Sequence, residues 1–286
     1  MHTMTMSIKT MTKTIKNKAN NIFVDFHTHI LPGIDDGAKT VEESIAMLLE
    51  ERRQADELFG KSARCVVVLT PHFKSYNQTV EEFLENRATA FAELRHAIEV
   101  HEDPKVNNLL YSVELVLGAE ILVHSDLEEV EGFERLFLGS SSFLLFEFSE
   151  EFYSHSYIQI IERICFKYKA KPILAHFGRY ASFMQHDDYQ ALMMLKNIVF
   201  QFNARNMAAK SKKGIGKNIV GAPAKLVLKF LRYGVPLIMG SDCHSMGVRA
   251  PDCINGYINS EKFMKKDEYE AFVKLSCEIA EVVEGS

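Results

Sequence analysis

The 286-residue chain has no tryptophan and no run of 18 or more apolar residues, so no stretch of it has the length and apolarity of a membrane-crossing helix. It also lacks any C-x-x-C pair. Its five cysteines (Cys65, Cys165, Cys243, Cys253 and Cys277) are odd in number and widely spaced, which excludes a small disulfide-stapled module and suits reduced thiols in a cytoplasm. An excess of basic charge is missing too. With 33 Lys and Arg against 38 Asp and Glu, the formal charge is −5, which argues against wide contact with nucleic-acid phosphates. Any anionic substrate must therefore be captured locally.

What is present describes an ordinary globular chain, 47% hydrophobic and 25% charged, long enough for one large α/β domain with a substantial core. Residues 1–20 carry Lys9, Lys13, Lys16 and Lys18 among Thr and Met without a continuous apolar segment. They read as a flexible leader, or in part as sequence upstream of a later start at Met4, Met6 or Met11, and not as a signal peptide. Beyond Asn20 no repeat, low-complexity segment or Pro/Gly/Ser-rich linker divides the chain, so residues 21–286 read as a single domain.

Short apolar runs alternate with longer segments of helical spacing, the pattern of βα units on parallel strands. Strands are expected at Ile22–Phe26, Arg64–Leu69, Tyr111–Leu117, Phe143–Phe146, Pro172–Ala175, Val199–Phe202 and Pro236–Met239, a number suited to an incomplete barrel. Helices are expected over Val41–Asp56, Val80–Ile98, His155–Tyr168, Asp187–Asn197, Ala222–Tyr233 and Asp267–Val283. In such folds reactive groups collect where strands lead into the next helix.

The conspicuous acids and histidines fall at those places. Asp25-Phe26-His27-Thr28-His29 closes the first strand, and the period of two in an extended chain points both imidazoles to one side. They make half a site for a divalent metal, although H-x-H alone is a weak signal. The same loop runs on through Leu31-Pro32-Gly33-Ile34-Asp35-Asp36-Gly37 and offers the Asp36 carboxylate. Later strand ends carry Thr70-Pro71-His72, Gly118-Ala119-Glu120, Phe146-Glu147-Phe148, Ala175-His176 and Ser241-Asp242-Cys243-His244. An isolated Glu after a strand ordinarily caps a helix and an isolated His is ordinarily a core residue. Six strand ends of seven bearing ligand-type groups are not independent accidents. The nine groups His27, His29, Asp36, His72, Glu120, Glu147, His176, Asp242 and His244 exceed the needs of one tetrahedral zinc and fit two or three ions. Imidazole and carboxylate without thiolate favour manganese, iron or zinc.

These motifs resemble the PHP (polymerase and histidinol phosphatase) superfamily, and FHTHILPGIDDGAKT, containing Asp36, resembles its bacterial protein tyrosine phosphatases of capsule and exopolysaccharide systems. The resemblance spans roughly Ile22 to Asp252. It implies a distorted TIM-like (β/α)7 barrel of the PHP type and three divalent ions, with manganese first and iron or zinc as alternatives. His27, His29, Glu120 and Asp242 would hold one ion, Glu120, Glu147 and His176 a second, and Asp36, His72 and His244 the third. Relatives acting on histidinol phosphate or DNA tend to have histidine at the positions of Asp36 and Glu147, so carboxylates there favour the tyrosine phosphatase branch. Arg179, in a match to the family's AHPxR motif with Phe177 in place of its proline, and Arg249 are the candidates for gripping phosphoryl oxygens through paired hydrogen bonds. The implied chemistry is in-line attack on phosphotyrosine by a hydroxide bridging two ions. The implied partner is a tyrosine kinase of polysaccharide export, with no nucleic acid and no membrane insertion, and a homo-oligomer is compatible with the sequence.

Rival readings share these residues. Cys243 and Arg249 have the spacing of a cysteine-phosphatase loop, but Asp242 precedes the cysteine and the residues between are poor in glycine. The same metals would also serve a small phosphomonoester such as histidinol phosphate or a nucleic-acid phosphodiester, the latter disfavoured by the acidic net charge, or a noncatalytic metal-binding regulator, which the complete ligand set speaks against. Phe177 could shape a slot for an aromatic leaving group, and Phe73 and Tyr76 could contact a phenyl ring, although core or loop packing is the ordinary role of such aromatics. The Lys210 to Lys217 segment is a basic loop able to steer an acidic phosphopeptide.

Overall fold

The computed structural model describes residues 21–151, 153–207, 209–211 and 218–285; the leader at 1–20 and most of the basic loop lie outside the described residues. The strands in chain order are β1 (Ile22–Thr28), β2 (Arg64–Leu69), β3 (His72–Phe73), β4 (Glu114–Leu117), β5 (Glu120–Leu122) and β6 (Phe143–Glu147). After them come β7 (Lys171–Leu174), β8 (Val199–Asn203), β9 (Ala209–Ser211), β10 (Asn218–Val220) and β11 (Leu237–Gly240). The helices are α1 (Val41–Phe59), α2 (Val80–Glu99), α3 (Pro104–Asn107), α4 (Leu109–Ser112), α5 (Ser156–Tyr168), α6 (His186–Met194), α7 (Ala222–Arg232), α8 (Cys253–Phe263) and α9 (Lys266–Glu284).

Strand pairing forms two parallel sheets, β1-β2-β4 and β11-β8-β7-β6-β5-β3, with β9-β10 as a separate antiparallel pair. The single seven-stranded ring expected from the sequence is not drawn by the pairing. The two sheets meet at two seams. At one, Asp242 N donates to His27 O (2.8 Å) and His29 N to Cys243 O (2.9 Å). At the other the chain itself runs from one sheet into the next, β2 into β3 and β4 into β5, and Gly118 N donates to Leu69 O (2.8 Å) and Glu120 N to Pro71 O (3.0 Å) on either side of the break.

Alternate strand residues explain the two cores. Ile22, Val24 and Phe26 of β1 join Val66 and Val68, Val116, Leu145, Ile173, Val199 and Ile238 in one inner cluster, to which α9 adds Ile279, Ala280 and Val283. Phe23, Val67, Leu144, Phe200 and Met239 point the other way, into an outer cluster shared with the helices. Strands buried on both faces are what parallel sheets flanked by helices require.

Helix ends follow local chemistry. Thr40 accepts from Glu43 N at the start of α1, and Thr79 with Glu82 forms a reciprocal capping box at α2. Three differences from the expected elements have physical causes. Tyr111 and Ser112 end a helix instead of opening β4, because Arg52 reaches across from α1 to cap the Ser112 carbonyl (2.8 Å). β3 and β5 are two and three residues long, too short for a periodic signal. The helix α8 lies where only a loop was expected; its start is held from α1, since Gln54 accepts from Ile254 N and donates to Pro251 O, both at 2.8 Å.

Close approach of β1 and β11 rests on Gly240, where an added Cβ would stand 2.6 Å from His27 Cβ and 2.9 Å from His27 N. Gly240→Ala is expected to lower stability by about 1–3 kcal/mol, read as a shift in the urea midpoint; an unchanged midpoint would show that the strands do not pack this tightly.

Candidate metal centre

The nine residues named from the sequence converge at one end of the two sheets. A register slip between Asp25 and Thr28 interrupts the β1–β2 ladder, and such irregularities re-aim side chains near functional sites. His27 and His29 do share a side, with their Nε2 atoms 3.1 Å apart. Strand register places the acids: His72 pairs with Glu120 and Leu122 with Glu147 across adjacent strands.

Glu120 is the hub. Its Oε2 stands 3.0 Å from His27 Nε2, 3.2 Å from His29 Nε2 and 3.1 Å from His72 Nδ1, while Oε1 is 2.8 Å from His176 Nε2. Glu147 lies 3.1 Å from His72 and 3.4 Å from His176. Asp36 lies 3.3 Å from His72 Nε2 and 3.4 Å from His244 Nε2. Asp242 Oδ1 stands 3.8 Å from His27 Nε2 and 3.7 Å from His29 Nε2. Three overlapping sets have ligand atoms mutually within 4.8 Å: His29, Asp36, His72 and His244; His27, His29 and Asp242; and His72, Glu120 and Glu147.

The chemistry of the donors fits divalent cations. His29 Nδ1 donates to Asp35 Oδ2 (2.7 Å) and His27 Nδ1 to Gln201 Oε1 (3.2 Å). Each ring thereby turns an Nε2 lone pair inward, and orienting partners of this kind are the usual outer layer of a metal site. Two lone pairs facing each other at 3.1 Å, beside a Glu120 oxygen ringed by three imidazole nitrogens, repel unless a proton or a metal ion lies among them.

Before any ion binds, imidazolium protons balance the carboxylates. Burial opposes a charge on His29, but hydrogen bonds and charges from Asp35 and Glu120 outweigh it and push its pKa up to about 9. Burial likewise opposes the charge on His72, and Glu120, Asp36 and Glu147 carry it up to about 11. His244 goes the other way, down to about 4, through burial and then the charges of His29 and Arg249.

Two of the four non-glycine residues with positive φ among the described residues lie here, His176 (30°) and Asp242 (57°), in the left-handed region that side chains disfavour. Gln201 Oε1 also accepts from His176 N (2.6 Å), and Asp25 Oδ1 accepts from His27 N (3.1 Å) and Ser241 N (2.8 Å).

Arg179 and Arg249 line an open cavity of about 460 Å³ together with Asp36, His72, Glu147 and His176. Both guanidiniums donate to Asp242, Arg249 at 2.6 Å from Oδ1. Sequence reasoning missed Asp35, Gln201, Asn203 and Arg205. Asn203 donates to Asp242 Oδ2 (2.7 Å), and Arg205 donates to the Asp242 carbonyl (3.2 Å). Asp35 had a signal in its place beside Asp36. The amides lie on β8, the strand whose end shows no acid or histidine. One aromatic expectation is corrected: Phe177 is fully buried against Phe200 and Phe230 and does not border the cavity. Phe73 packs on Phe83 in the core, its ordinary role. Tyr76 does line it.

A family model described as capsular polysaccharide synthesis, CpsB/CapC, matches residues 23–280. The chain is 28% identical over 255 residues to the tyrosine-protein phosphatase CpsB of Streptococcus pneumoniae, covering 87% of this chain and 95% of that protein. It is 25% identical over 257 residues to the putative tyrosine-protein phosphatase CapC of Staphylococcus aureus, covering 88% of each. Among solved structures it matches a chain from work on YwqE of Bacillus subtilis and CpsB of Streptococcus pneumoniae, described there as unique metal-dependent tyrosine phosphatases. The TM-score is 0.63 at 19% identity, over 92% of this chain and 94% of that one, which is a likeness of fold.

Metal uptake is expected to expel about two protons at pH 7, from His29 and His72, because ligand imidazoles must be neutral. Titration calorimetry in buffers of different protonation enthalpy measures this. Release should shrink toward pH 10, where His29 has already lost its proton, and a buffer-independent enthalpy at pH 7 would contradict the charge balance described above.

Proposed function

The chain belongs to the CpsB/CapC family of capsular polysaccharide synthesis, and on that premise we propose that it is a metal-dependent protein-tyrosine phosphatase with the nine-residue cluster as its centre. The observation that carries the reading is Glu120, a carboxylate whose two oxygens face His27, His29 and His72 on one side and His176 on the other, the disposition of a bridging ligand. In this reading His27, His29, Glu120 and Asp242 hold one divalent ion, Glu120, Glu147 and His176 a second, and Asp36, His72 and His244 a third, with manganese first among the metals. Bound ions supply a water acidified toward neutrality, able to attack phosphorus in line, and positive charge opposite the phosphoryl oxygens.

The rest falls to the protein's own groups. Arg179 and Arg249 present planar guanidiniums at the cavity, matched to two oxygens of a phosphoryl group. Tyr76, half exposed at the cavity wall, offers a face to the substrate ring. A phenolate leaving group, with a conjugate-acid pKa of about 10, needs less protonation than an alkoxide, so the absence of a dedicated acid among the residues named is no obstacle. Asp35 and Gln201 keep the Nε2 atoms of His29 and His27 inward throughout.

The same reading takes the two sheets as parts of one distorted (β/α)7 barrel, supported by the hydrogen bonds at both seams and by the shared inner core, with residues 21–286 as one domain. It takes a phosphorylated tyrosine kinase of polysaccharide export as the protein substrate. No disulfide joins the five cysteines, which supports the cytoplasmic location read from their spacing. The cysteine-phosphatase rival loses its geometry: Cys243 is fully buried, and burial pushes its thiol well up.

Chelation should abolish phosphate release from a phosphotyrosyl peptide and manganese should restore it, whereas thiol alkylation of the folded protein should have no effect. Faster turnover of histidinol phosphate or single-stranded DNA than of the peptide would transfer the reading to another substrate class. Metal-independent release, or none after reloading, would defeat it. Arg249→Ala is expected to lower kcat by about 100-fold in steady-state assays while the chelator sensitivity persists.

A further inference from the structure

Behind the catalytic cluster lies a second set of acidic and sulfur groups that the phosphatase chemistry leaves unused. Asp25 follows Phe23 on the face of β1 turned toward the helices, Glu51 projects from the middle of α1, and Cys243 stands between Asp242 and His244. Each offers one ligand atom, and the three atoms lie within 4.8 Å of one another. All three side chains are 0% exposed. Asp25 uses Oδ1 to hold the backbone N–H groups of His27 and Ser241, but its Oδ2 and both oxygens of Glu51 accept no hydrogen bond. Two further buried thiols adjoin them: Cys253, the first residue of α8, beside Asp25 and Cys243, and Cys65 on β2 within electrostatic reach of Glu51. Three of the chain's five cysteines thus surround two carboxylates.

Carboxyl groups shut away from water need either a proton or a positive partner, and the surrounding hydrogen-bond donors leave Asp25 Oδ2 and both Glu51 oxygens unmet. A mixed set of oxygen and sulfur donors suits zinc, and Asp25, Glu51 and Cys243 supply three of its four tetrahedral positions. The frame around it is already closed, because Gln54, one turn after Glu51, ties α1 to Pro251 O and Ile254 N at the start of α8. We propose that Asp25, Glu51 and Cys243 bind a structural zinc ion. It would fasten β1 and α1 to the loop that carries Asp242 and His244. This ion is separate from those of the catalytic cluster, whose ligands are nitrogen and oxygen only, and the proposal stands whether or not the phosphatase reading does.

Cobalt(II) loading of the full chain in a Cys165→Ser background reads the site without reference to activity. Thiolate ligation gives a sulfur-to-cobalt charge-transfer band in the near ultraviolet that imidazoles and carboxylates cannot produce. The band is expected in this protein and should disappear in Glu51→Gln and in Cys243→Ser, each losing one equivalent of metal per chain. If the loaded protein shows no such band, or if the band survives Glu51→Gln, the zinc site is wrong. The competing state, in which Glu51 and Asp25 share a proton, predicts that Glu51→Gln keeps its full metal content and unfolds no earlier, an outcome that also overturns the proposal. Should Glu51→Gln fail to fold, the spectrum of the Cys165→Ser chain and elemental zinc in the purified protein decide the question alone.

Discussion

The carboxylate of Glu120, 1% exposed, faces nitrogens of four imidazoles, and the rest of the centre is arranged around that burial. An acid this deep is tolerated only because positive charge is close on both sides of it. Parallel register supplies the first partner, since His72 lies directly across from Glu120. The β1 strand end supplies two more, and β7 brings His176 over on a left-handed turn. Removing the carboxylate would leave imidazoles facing one another with nothing to bind them together.

A second ring of polar groups sets the orientation of the first. Asp35 fixes the His29 ring and also accepts from the backbone N–H of His72 (3.1 Å) and of Gly37 (2.8 Å). Gln201 serves the His27 ring and the His176 backbone together. Left-handed φ at non-glycine residues costs on the order of 1–3 kcal/mol each, so His176 and Asp242 need such anchors to stay where they are. The strain lies next to the site and is offset by strands buried on both faces elsewhere.

The acidic balance of the chain and its handling of an anion are compatible because charge is local. Arg179, Arg205 and Arg249 all reach Asp242, so the positive groups nearest the cavity are held by a residue of the cluster itself. Reduced cysteines have a comparable place in this scheme. None reaches the cavity wall, and three are drawn into the buried pocket behind β1.

Much of this was legible in the residues alone. Alternating apolar runs and helical spacing gave the order of the long elements, because burial on both faces of a strand and on one face of a helix leaves a periodic trace. His27, His29 and the later strand-end acids and histidines were legible because ligand-type side chains at successive strand ends have a common geometric cause. Other features left no such trace. β3 and β5 are too short to have a period, although they carry His72 and Glu120. Gln201 and Asn203 look like any strand amides until their partners, 174 and 39 residues away in the chain, are brought to them. Phe177 looked like a substrate contact and is core, because only packing decides which way an aromatic faces. The clustering of Asp25, Glu51, Cys243 and Cys253 likewise belongs to tertiary structure, since local sequence records which side chains a strand or helix presents but not what the fold sets opposite them.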